Sequence, residues 1–373
     1  MSDSFRRLFR APGRVNLIGE HTDYNDGFVM PVAINFSTWI TLTPVTERHI
    51  EFYSDKFNEK VILELDNPPT SPRGHWSDYP IGVAVTLLRH GYDLQGARLL
   101  ITSEVPLGSG LSSSAALEVV TALSLAKHSN LNIQPVELAK LCREAENEFV
   151  GARVGIMDQF ASVCGGADRA LLIDCRSLEF KLLPLSNKAQ LVICNTMVKH
   201  ELASSAYNER RSQCEEGVKW FSSIIPGVTA LRDLNTDQLE EHGKGLQPII
   251  YRRCRHVVSE NERVILAAEA LNHDDLSEFG ELMYKSHESL RDDYEVSCRE
   301  LDLMVELASG VKGVYGARMT GGGFGGCTVN LVERDQVGQF RIAVVEGYEK
   351  ALGIIPEVYV CSAVNGAEEV IEN

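Results

Sequence analysis

The sequence predicts an α+β protein with two domains. Its 373 residues, 44% of them hydrophobic, can bury more than one core, since domains usually have roughly 100–200 residues. Short β-like segments dominate the first hundred residues, helical periodicity dominates residues 200–307, and the two kinds of element do not alternate as in βαβ proteins. A polar link, Leu183–Gln190, separates two strand-like runs, so we expect domains at 1–185 and 186–373.

Strands are predicted where β-branched and aromatic residues cluster or alternate. These segments are Phe36–Pro44, Ile50–Ser54, Val61–Leu65, Ala97–Ser103, Ala170–Ile173, Phe180–Leu183, Leu191–Cys194, Val314–Met319, Thr328–Val332 and Glu357–Ser362. Helices are predicted where apolar residues recur at helical spacing. These are Ser113–Lys127, Pro135–Glu148, most of His200–Leu307, and Gln336–Leu352.

The chain is acidic, with 36 Lys and Arg against 52 Asp and Glu, so the net charge is 36 − 52 = −16. Such a surface repels nucleic acids and anionic membranes, and we expect neither as a partner. An anionic substrate would need a site that is locally positive or lined with backbone N–H groups. No run of 18 apolar residues occurs, and the first residues lack the apolar core of a secretory signal.

The nine cysteines are scattered, odd in number and form no C-x-x-C pair. This pattern favours reduced thiols over a disulfide framework or a zinc site. We therefore expect a cytoplasmic protein.

The first of three motifs runs from Gly13 to Asn25 and has the sequence GRVNLIGEHTDYN. After an apolar, strand-like stretch it brings Glu20, His21 and Asp23 into one short loop. A neutral polyol offers only hydroxyl donors and acceptors, so its recognition needs several carboxylate and imidazole groups on one face. These side chains are candidate polyol ligands, although each alone is also compatible with a surface ion pair or a turn.

The second motif, Val105–Ala116, has the sequence VPLGSGLSSSAA. Gly108 and Gly110 let the backbone approach a ligand, and Ser112–Ser114 stand where a helix begins. The unpaired N–H groups and positive end of a helix N-terminus suit a phosphate, and a hydroxyl there can ligate Mg²⁺. The motif is neither a Walker A loop nor a Rossmann fingerprint. The alternative is a serine-capped helix after a glycine turn.

The third motif, Ala317–Cys327, has the sequence ARMTGGGFGGC, with five glycines in six positions. Such a segment favours neither a helix nor a flat strand. It predicts a compact loop whose backbone contacts a substrate or another loop; the alternative is a flexible hairpin.

Asp158 stands in the otherwise apolar segment Gly155–Gln159. A partly desolvated carboxylate there would be suited to accept a proton from a hydroxyl group. The alternative is an N-cap for the turn that follows.

Together the three motifs resemble the GHMP kinase superfamily, and within it the galactokinase family. The resemblance extends from about Phe9 to about Val360, nearly the whole chain. The first motif is specific to galactokinases and close relatives, and the other two are shared across the superfamily. The resemblance implies a two-domain fold, an N-terminal mixed sheet with helices and a C-terminal sandwich-like α/β domain, with the active site between them. The implied reaction is phosphorylation of the C1 hydroxyl of galactose by ATP with Mg²⁺.

By this resemblance, Asp158 is the catalytic base or electrostatic partner of the hydroxyl, and Arg14 stabilises charge on the transferring phosphoryl group. The expected galactose ligands are Glu20, His21, Asp23, Gly155, Asp158 and Tyr207. The expected ATP-binding residues are Trp76, Tyr79, Gly108, Ser109, Gly110, Leu111, Ser112, Ser113, Ser114 and Ala115. Ser114 and Glu146 are expected to hold Mg²⁺, and the third loop contributes Gly321, Gly322, Gly323, Phe324 and Gly325.

Two alternatives to this function stay open. An N-acetylgalactosamine kinase or another sugar 1-kinase would share the superfamily motifs, but relatives that accept an N-acetyl group usually depart from H-T-D-Y-N, which this chain keeps. A regulatory galactose sensor would lack part of the Ser-Ala step, and here Ser113-Ser114-Ala115 is intact. Trp76 and Tyr79 could equally be ordinary core aromatics. The expected assembly is a monomer or a weak dimer.

Overall fold

The computed structural model describes residues 6–106, 108–199 and 203–371; Leu107 of the second motif and His200, the expected start of the helical region, lie outside the described residues. Within these ranges the strands are β1 Arg7–Asn16, β2 Phe28–Val29, β3 Pro31–Pro44, β4 His49–Ser54, β5 Glu59–Glu64, β6 Ala97–Ser103, β7 Arg169–Asp174, β8 Phe180–Pro184, β9 Ala189–Lys199, β10 Val314–Thr320, β11 Gly325–Glu333, β12 Glu357–Cys361 and β13 Glu368–Val370.

The α-helices are α1 Asp78–Arg89, α2 Ser113–His128, α3 Pro135–Glu144, α4 Met157–Cys164, α5 Ala203–Ser222, α6 Thr236–His242, α7 Pro248–Asn272, α8 Leu276–Asp292, α9 Arg299–Ser309 and α10 Val337–Leu352. A π-helical turn, Ala145–Val150, continues α3. Short 3₁₀ helices cover Asp23–Asn25, Leu231–Asp233, Gly243–Gly245 and Arg334–Gln336. No helix of the described residues is both long enough and apolar enough to cross a bilayer. All nine cysteines are free.

The described strands form three sheets. A mixed six-stranded sheet has the order β13-β1-β3-β6-β4-β5, in which β4 and β6 are parallel. A second, antiparallel sheet has the order β10-β11-β9-β12, and β2, β7 and β8 form a third. Since strands and helices do not alternate in βαβ units, the predicted α+β class is confirmed.

The six-stranded sheet buries one face under α1, α2 and α3. In β6 the pattern is explicit: Ala97, Leu99 and Ile101 are buried while Arg98 and Leu100 are exposed, as expected for a half-buried strand. The core on this face joins side chains of the sheet and of the three helices, among them Phe9, Ile40, Leu99, Val85, Val119 and Leu141. This packing holds the start of α2, which carries the second motif, against β1, which carries the first.

A second core joins the two halves of the chain. It contains Val15, Leu17 and Ile18 from the first motif, with Val264 of α7 and Val329 of β11. The expected division between residues 185 and 186 falls in the connection between β8 and β9 and remains a prediction. The last strand, β13, pairs antiparallel with β1 and so adds an edge to the first sheet.

Several elements differ from the sequence-based prediction, α1 and β1 among them. Helix α1, in which Asp78 and every residue from Pro80 to Leu87 are buried, was not predicted; Pro80 and Gly82 in its first two turns both count against a helix in the sequence. Strand β1 extends back to Arg7, although Pro12 and Gly13 interrupt its pattern; the pairing with β3 shifts register between Pro12 and Arg14.

Candidate active site

A polar pocket of about 150 Å³ lies where the loop after β1 meets α4, α5 and the turn between β10 and β11. Its lining consists of Arg14, Glu20, His21, Asp23, Val154, Gly155, Met157, Asp158, Tyr207, Gly321 and Gly322. The fold thus brings together Arg14, every residue predicted to contact a sugar, and the first two glycines of the third loop.

The pocket contains an ion pair between residues that are 144 positions apart in the chain. Arg14 Nε and Nη2 lie 2.8 and 2.7 Å from Asp158 Oδ1. The other oxygen, Oδ2, accepts a hydrogen bond of 2.5 Å from Ser112 Oγ, and Arg14 Nη1 donates to the Gly110 carbonyl at 2.6 Å. Asp158 lies in the first turn of α4, whose N-cap position is Ile156, so the alternative of an N-cap aspartate is wrong. The Asp158 carboxylate is fixed in orientation while its side chain keeps 29% exposure.

Glu20 fixes the first motif to the third. Its Oε1 accepts hydrogen bonds from the backbone N–H of Gly321 at 2.8 Å and from Thr320 Oγ1 at 3.0 Å. Arg318, which is fully buried, lies at 3.4 Å from the same oxygen. The glycine segment does connect a hairpin, because β10 and β11 pair antiparallel. The hairpin also contacts another loop, as predicted, through the bonds from Thr320 and Gly321 to Glu20.

His21 has an unusual backbone and an unsatisfied ring nitrogen. Its φ is +64°, a conformation that is uncommon for residues other than glycine. Burial, followed by the charges of His256 and Arg210, lowers the pKa of His21 to about 3, so the ring is neutral near pH 7. Nδ1 lies 2.8 Å from the hydroxyl of Tyr24, while the buried Nε2 has no hydrogen-bond partner. A buried polar atom without a partner is costly, and a ligand hydroxyl would satisfy it.

Asp23 lies directly against Gly155. Burial, followed by the negative charge of Asp158, raises the pKa of Asp23 to about 7. A Cβ atom on Gly155 would lie 1.7 Å from Asp23 Oδ2. Position 155 therefore admits only glycine while Asp23 keeps its place at the pocket.

Gly155→Ala should weaken sugar binding strongly and leave the fold intact. The new methyl group meets only the Asp23 side chain at short range, so Asp23 rotates away and its contact with a ligand is lost. Since a displacement of about 1 Å can reduce turnover roughly a hundredfold, we expect kcat/KM for the sugar to fall by about 10- to 100-fold. Gly338→Ala, where the new methyl meets no atom within 4 Å, is the matched control. Unchanged kinetics in Gly155→Ala would show that Asp23 does not contact the substrate.

Asp23→Asn should stabilise the sugar-free protein, and more at pH 8 than at pH 5. The folded-state pKa of about 7 lies above the ordinary value of 3.8, so ionisation of Asp23 destabilises the fold as pH rises from 4 through 7. Because the pocket admits solvent, we expect a gain of about 1–3 kcal/mol at pH 8. Thermal unfolding at both pH values measures it, with Asp55→Asn on an exposed turn as the control. An equal gain at both pH values would contradict this assignment.

The second motif forms a loop that leads into α2. Gly108, Gly110 and Ser112 have φ of +71°, +80° and +58°. Ser112 is the N-cap residue, but its side chain makes no capping hydrogen bond, because it donates to Asp158 instead. The alternative of a serine-capped helix is therefore wrong. The first-turn N–H groups of Ser113, Ser114 and Ala115 are left without a side-chain cap.

Two glycines hold this loop close to its neighbours. A Cβ atom on Gly13 would lie 2.6 Å from the Leu111 carbonyl, so β1 passes directly against the loop. A Cβ on Gly321 would meet the Gly110 carbonyl at 3.7 Å. By contrast, Gly323 and Phe324 turn away from the pocket: Phe324 donates its N–H to the Val296 carbonyl at 2.8 Å. Gly325 pairs with Lys199 in the second sheet.

A cluster of buried carboxylates lies beside the start of α2. Burial, followed by the charge of Asp158, raises the pKa of Glu146 to about 7, and the Ser114 hydroxyl hydrogen-bonds to it. Gln159 Nε2 donates to Glu146 Oε2 at 2.6 Å and to Glu118 Oε2 at 3.0 Å. Glu118 Oε1 and Gln159 Oε1 are buried without a partner. The cluster thus has oxygen acceptors in excess of the donors that the described residues provide.

Trp76 and Tyr79 lie near the start of α1, outside the polar pocket. The Trp76 ring stacks on Phe57 with 5.7 Å between centroids, and its Nε1 donates to Glu59 at 3.1 Å. Tyr79 is half-buried, and burial, then the charges of Glu146 and Glu118, raise its pKa. Tyr79 is therefore near the carboxylate cluster.

Three protein-family models match this chain. The model of the GHMP kinases N terminal domain matches residues 78–166, that of the GHMP kinases C terminal matches 267–350, and the galactokinase galactose-binding signature matches 2–44. The galactokinase of Roseiflexus sp. is 47% identical over 98% of this chain and 93% of its own length. The chain belongs to the galactokinase family. The galactokinase of Clostridium acetobutylicum is 42% identical over 98% of this chain and 95% of its own length.

Solved structures place the fold in the same superfamily. Lactococcus lactis galactokinase, solved in complex with galactose, superposes with a TM-score of 0.94 at 37% identity, covering 98% of this chain and 95% of that one. Methanococcus jannaschii mevalonate kinase is 19% identical with a TM-score of 0.69, covering 98% of this chain and all of that one; this likeness concerns the fold alone. The predicted GHMP kinase fold is confirmed.

Several residues that position this galactokinase-family site were missed by sequence analysis. Helix α7 holds the loop after β1 from behind: Glu260 accepts the Gly19 N–H at 2.9 Å, and His256 Nε2 lies 3.1 Å from the Glu20 carbonyl. Burial opposes ionisation of Glu260, but the charges of Arg263, His256 and Arg318 and the hydrogen bond from Ser286 together outweigh burial and lower the pKa of Glu260 to about 2. The only signal for these residues is polar side chains at the buried face of a long helix, which does not reveal their partners. Arg318 lies within the third motif, but nothing in the sequence indicated its contact with Glu20.

Proposed function

We propose that this galactokinase-family protein transfers the γ-phosphoryl group of ATP to the C1 hydroxyl of galactose. The observation that carries the proposal is the Arg14–Asp158 pair. The pair lies in a pocket lined by side chains suited to bind a polyol, next to the uncapped N-terminus of α2. Phosphoryl transfer needs little covalent chemistry from the protein, and mainly needs positioning and neutralisation of charge.

Asp158 accepts the proton of the attacking hydroxyl. Its two oxygens are held by Arg14 and Ser112, so the carboxylate is oriented before the substrate arrives. Arg14 also reaches the Gly110 carbonyl in the phosphate loop. Its positive charge therefore lies between the sugar pocket and the phosphate loop, where negative charge develops in the transition state.

Glu20, His21, Asp23, Gly155 and Tyr207 bind the sugar. Carboxylates, a neutral imidazole and a phenol on one pocket can match several hydroxyls, and a sugar that lacks one of them leaves a buried group unpaired. This chemistry favours discrimination among sugars by their hydroxyl pattern.

The loop at Gly108–Leu111 and the first turn of α2, Ser112–Ala115, bind the phosphates of ATP. The positive end of the helix and its uncapped N–H groups suit a triphosphate. This local arrangement offsets the overall charge of −16, which repels anions. Trp76 and Tyr79 border the adenine pocket, where the half-buried Tyr79 lies beside the carboxylate cluster.

Ser114 and Glu146 hold Mg²⁺ when the nucleotide is bound. The donor set fits: the Ser114 hydroxyl and the Glu146 carboxylate are close enough to hydrogen-bond to each other, and Mg²⁺ prefers oxygen ligands. The neighbouring Glu118 and Gln159 each have a buried oxygen without a partner in the described part of the chain. Among the described residues no three His, Cys, Asp or Glu side chains are grouped to hold a metal; one or two carboxylates plus substrate phosphates are the usual Mg²⁺ ligands. The ion would neutralise charge on the phosphates.

We further propose domains at 1–185 and 186–373 and a cytoplasmic monomer or weak dimer. Nine free cysteines suit a reducing compartment. Light scattering at working concentration measures the assembly.

The test is a coupled ADP-release assay with galactose, N-acetylgalactosamine, arabinose and glucuronate, each with and without EDTA. We expect turnover with galactose alone among the four, loss of turnover on chelation, and a phosphorus NMR signal of a C1 phosphate. Preference for another sugar would overturn the specificity. Galactose binding without ADP release would indicate a sensor.

A further inference from the structure

A chain of buried hydrogen bonds runs from the sugar pocket into the second half of the protein. His21 Nδ1 lies 2.8 Å from Tyr24 OH, which lies 2.7 Å from Tyr294 OH. Tyr294 OH in turn lies 3.1 Å from Cys214 Sγ on α5. The chain connects His21, which lines the pocket, to three side chains that do not line it.

His21, at the pocket end of this chain, has two features typical of a ligand-binding residue. His21 is held at φ +64°, and strained backbone of this kind concentrates at functional sites. Its Nε2 is buried and has no hydrogen-bond partner within bonding distance among the described residues. The Gly322 backbone raises the pKa of the ring, but by less than burial lowers it. A ligand hydroxyl at Nε2 would complete the bonding of His21.

The hydroxyl groups of this chain fix one sense of hydrogen bonding. The Asn25 side chain donates to the His21 carbonyl at 2.9 Å and so holds the backbone at the same end. Each hydroxyl has one hydrogen and can also accept. Tyr24 therefore either donates to Nδ1 and accepts from Tyr294, or accepts from Nδ1 and donates to Tyr294. In either case the tyrosines determine which ring nitrogen of His21 carries the proton.

The segment that carries Tyr294 is held rigidly. Arg210 donates to the carbonyl oxygens of Tyr294 at 2.7 Å and of Glu295 at 2.9 Å. The fully buried Arg253 donates to the Asp293 carbonyl and to the Glu295 carboxylate. Tyr294 is therefore a fixed support for Tyr24.

We propose that Tyr24 and Tyr294 are positioning residues for sugar recognition, which hold the His21 ring in one tautomer with its free Nε2 available to one hydroxyl group of the sugar. The inference rests on the proposed function, because it requires a sugar in the pocket. It makes the two tyrosines determinants of sugar affinity, although neither lines the pocket.

The test combines tyrosine variants with sugar analogues. Calorimetry measures the Kd of Tyr24→Phe and Tyr294→Phe for galactose and for 2-, 3-, 4- and 6-deoxygalactose. Loss of one buried hydrogen bond should weaken galactose binding about tenfold, with kcat at saturating sugar unchanged. For the one analogue that lacks the hydroxyl bound by His21, the variants should bind as well as wild type does. An equal loss for all sugars, or no loss, would overturn the inference.

A second measurement reads the tautomer directly. Nitrogen-15 shifts of labelled histidine should show a single tautomer of His21 in wild type and a mixture of tautomers in Tyr24→Phe. A mixture of tautomers in wild type would overturn the inference. Tyr348→Phe is the matched control, because it removes a buried hydroxyl that donates to the Thr196 carbonyl at 3.0 Å, away from the pocket.

The failure of this inference can be told from the failure of the proposed function. If Tyr24→Phe and Tyr294→Phe bind galactose with unchanged Kd while wild type phosphorylates galactose, only the inference is refuted. If wild type neither binds nor phosphorylates galactose, the proposed function fails.

Discussion

Asp158→Asn should bind galactose normally and lose nearly all turnover. The amide keeps the shape of the side chain and can still accept from Arg14, and the Ser112 hydroxyl can rotate to accept from the new N–H₂ group. It cannot take the proton of the attacking hydroxyl. General-base catalysis typically contributes about 10²–10⁴-fold, so we expect kcat to fall by about 10³–10⁴ while the galactose Kd changes less than about threefold.

Steady-state kinetics and calorimetry of the same preparation separate the two effects. Asp302→Asn is a suitable control, since that carboxylate also accepts a serine hydroxyl at 2.5 Å but does not line the pocket. If Asp158→Asn keeps kcat within about tenfold of wild type, proton transfer to Asp158 contributes less to the rate than general-base catalysis normally does. Positioning and charge neutralisation would then account for the rate.

Arg14→Met should reduce kcat/KM by about 10²–10³, which is the usual effect of removing one preorganised donor to a developing anion. Arg14 is buried, and it joins the Asp158 carboxylate to the Gly110 carbonyl, so its loss removes positive charge and also releases Asp158. The kcat/KM of Arg14→Lys should lie between those of wild type and Arg14→Met, because one ammonium group cannot reproduce the planar fork of the guanidinium.

Arg10→Met on the same strand is the matched control. Arg10 also pairs with a carboxylate, at 2.8 Å from Glu368 Oε1, but lies outside the pocket. We expect Arg10→Met to change stability slightly and turnover little. If Arg14→Met lowers the melting temperature without lowering kcat/KM at a temperature where it is folded, the role of Arg14 is structural.

The local sequence pattern was enough to predict many of the strands and helices. Ala97–Ser103 was predicted with the bounds that the structure has, and α2 was predicted to within one residue of its end at His128. These elements were predictable because their apolar residues recur at the period of the strand or helix, a signal that depends on which face is buried and not on what covers it. Helix α1 was not predicted, because Pro80 and Gly82 in its first two turns count against a helix although most of its residues are apolar and buried.

The candidate site was predictable as a set of residues but not as an arrangement. The three motifs contain six of the eleven residues that line the pocket, and the segment Gly155–Gln159 contains three more. These segments were recognisable because their residue types match the chemistry of a polyol and a phosphate and because the motifs resemble those of one superfamily. Where sequence left alternatives, the tertiary structure decided. Ser112 and Asp158 could each have been helix caps, and instead they bond to each other across 46 positions.

By itself, the sequence determined the α+β class, most strands and helices, the family and the membership of the pocket. The tertiary structure alone decided that Arg14 meets Asp158, that α7 holds the sugar loop, and that Tyr294 supports Tyr24 and through it His21. The reason is physical. Periodicity and residue chemistry are local properties, whereas these contacts join residues 144 to 270 positions apart and depend on how the whole core packs.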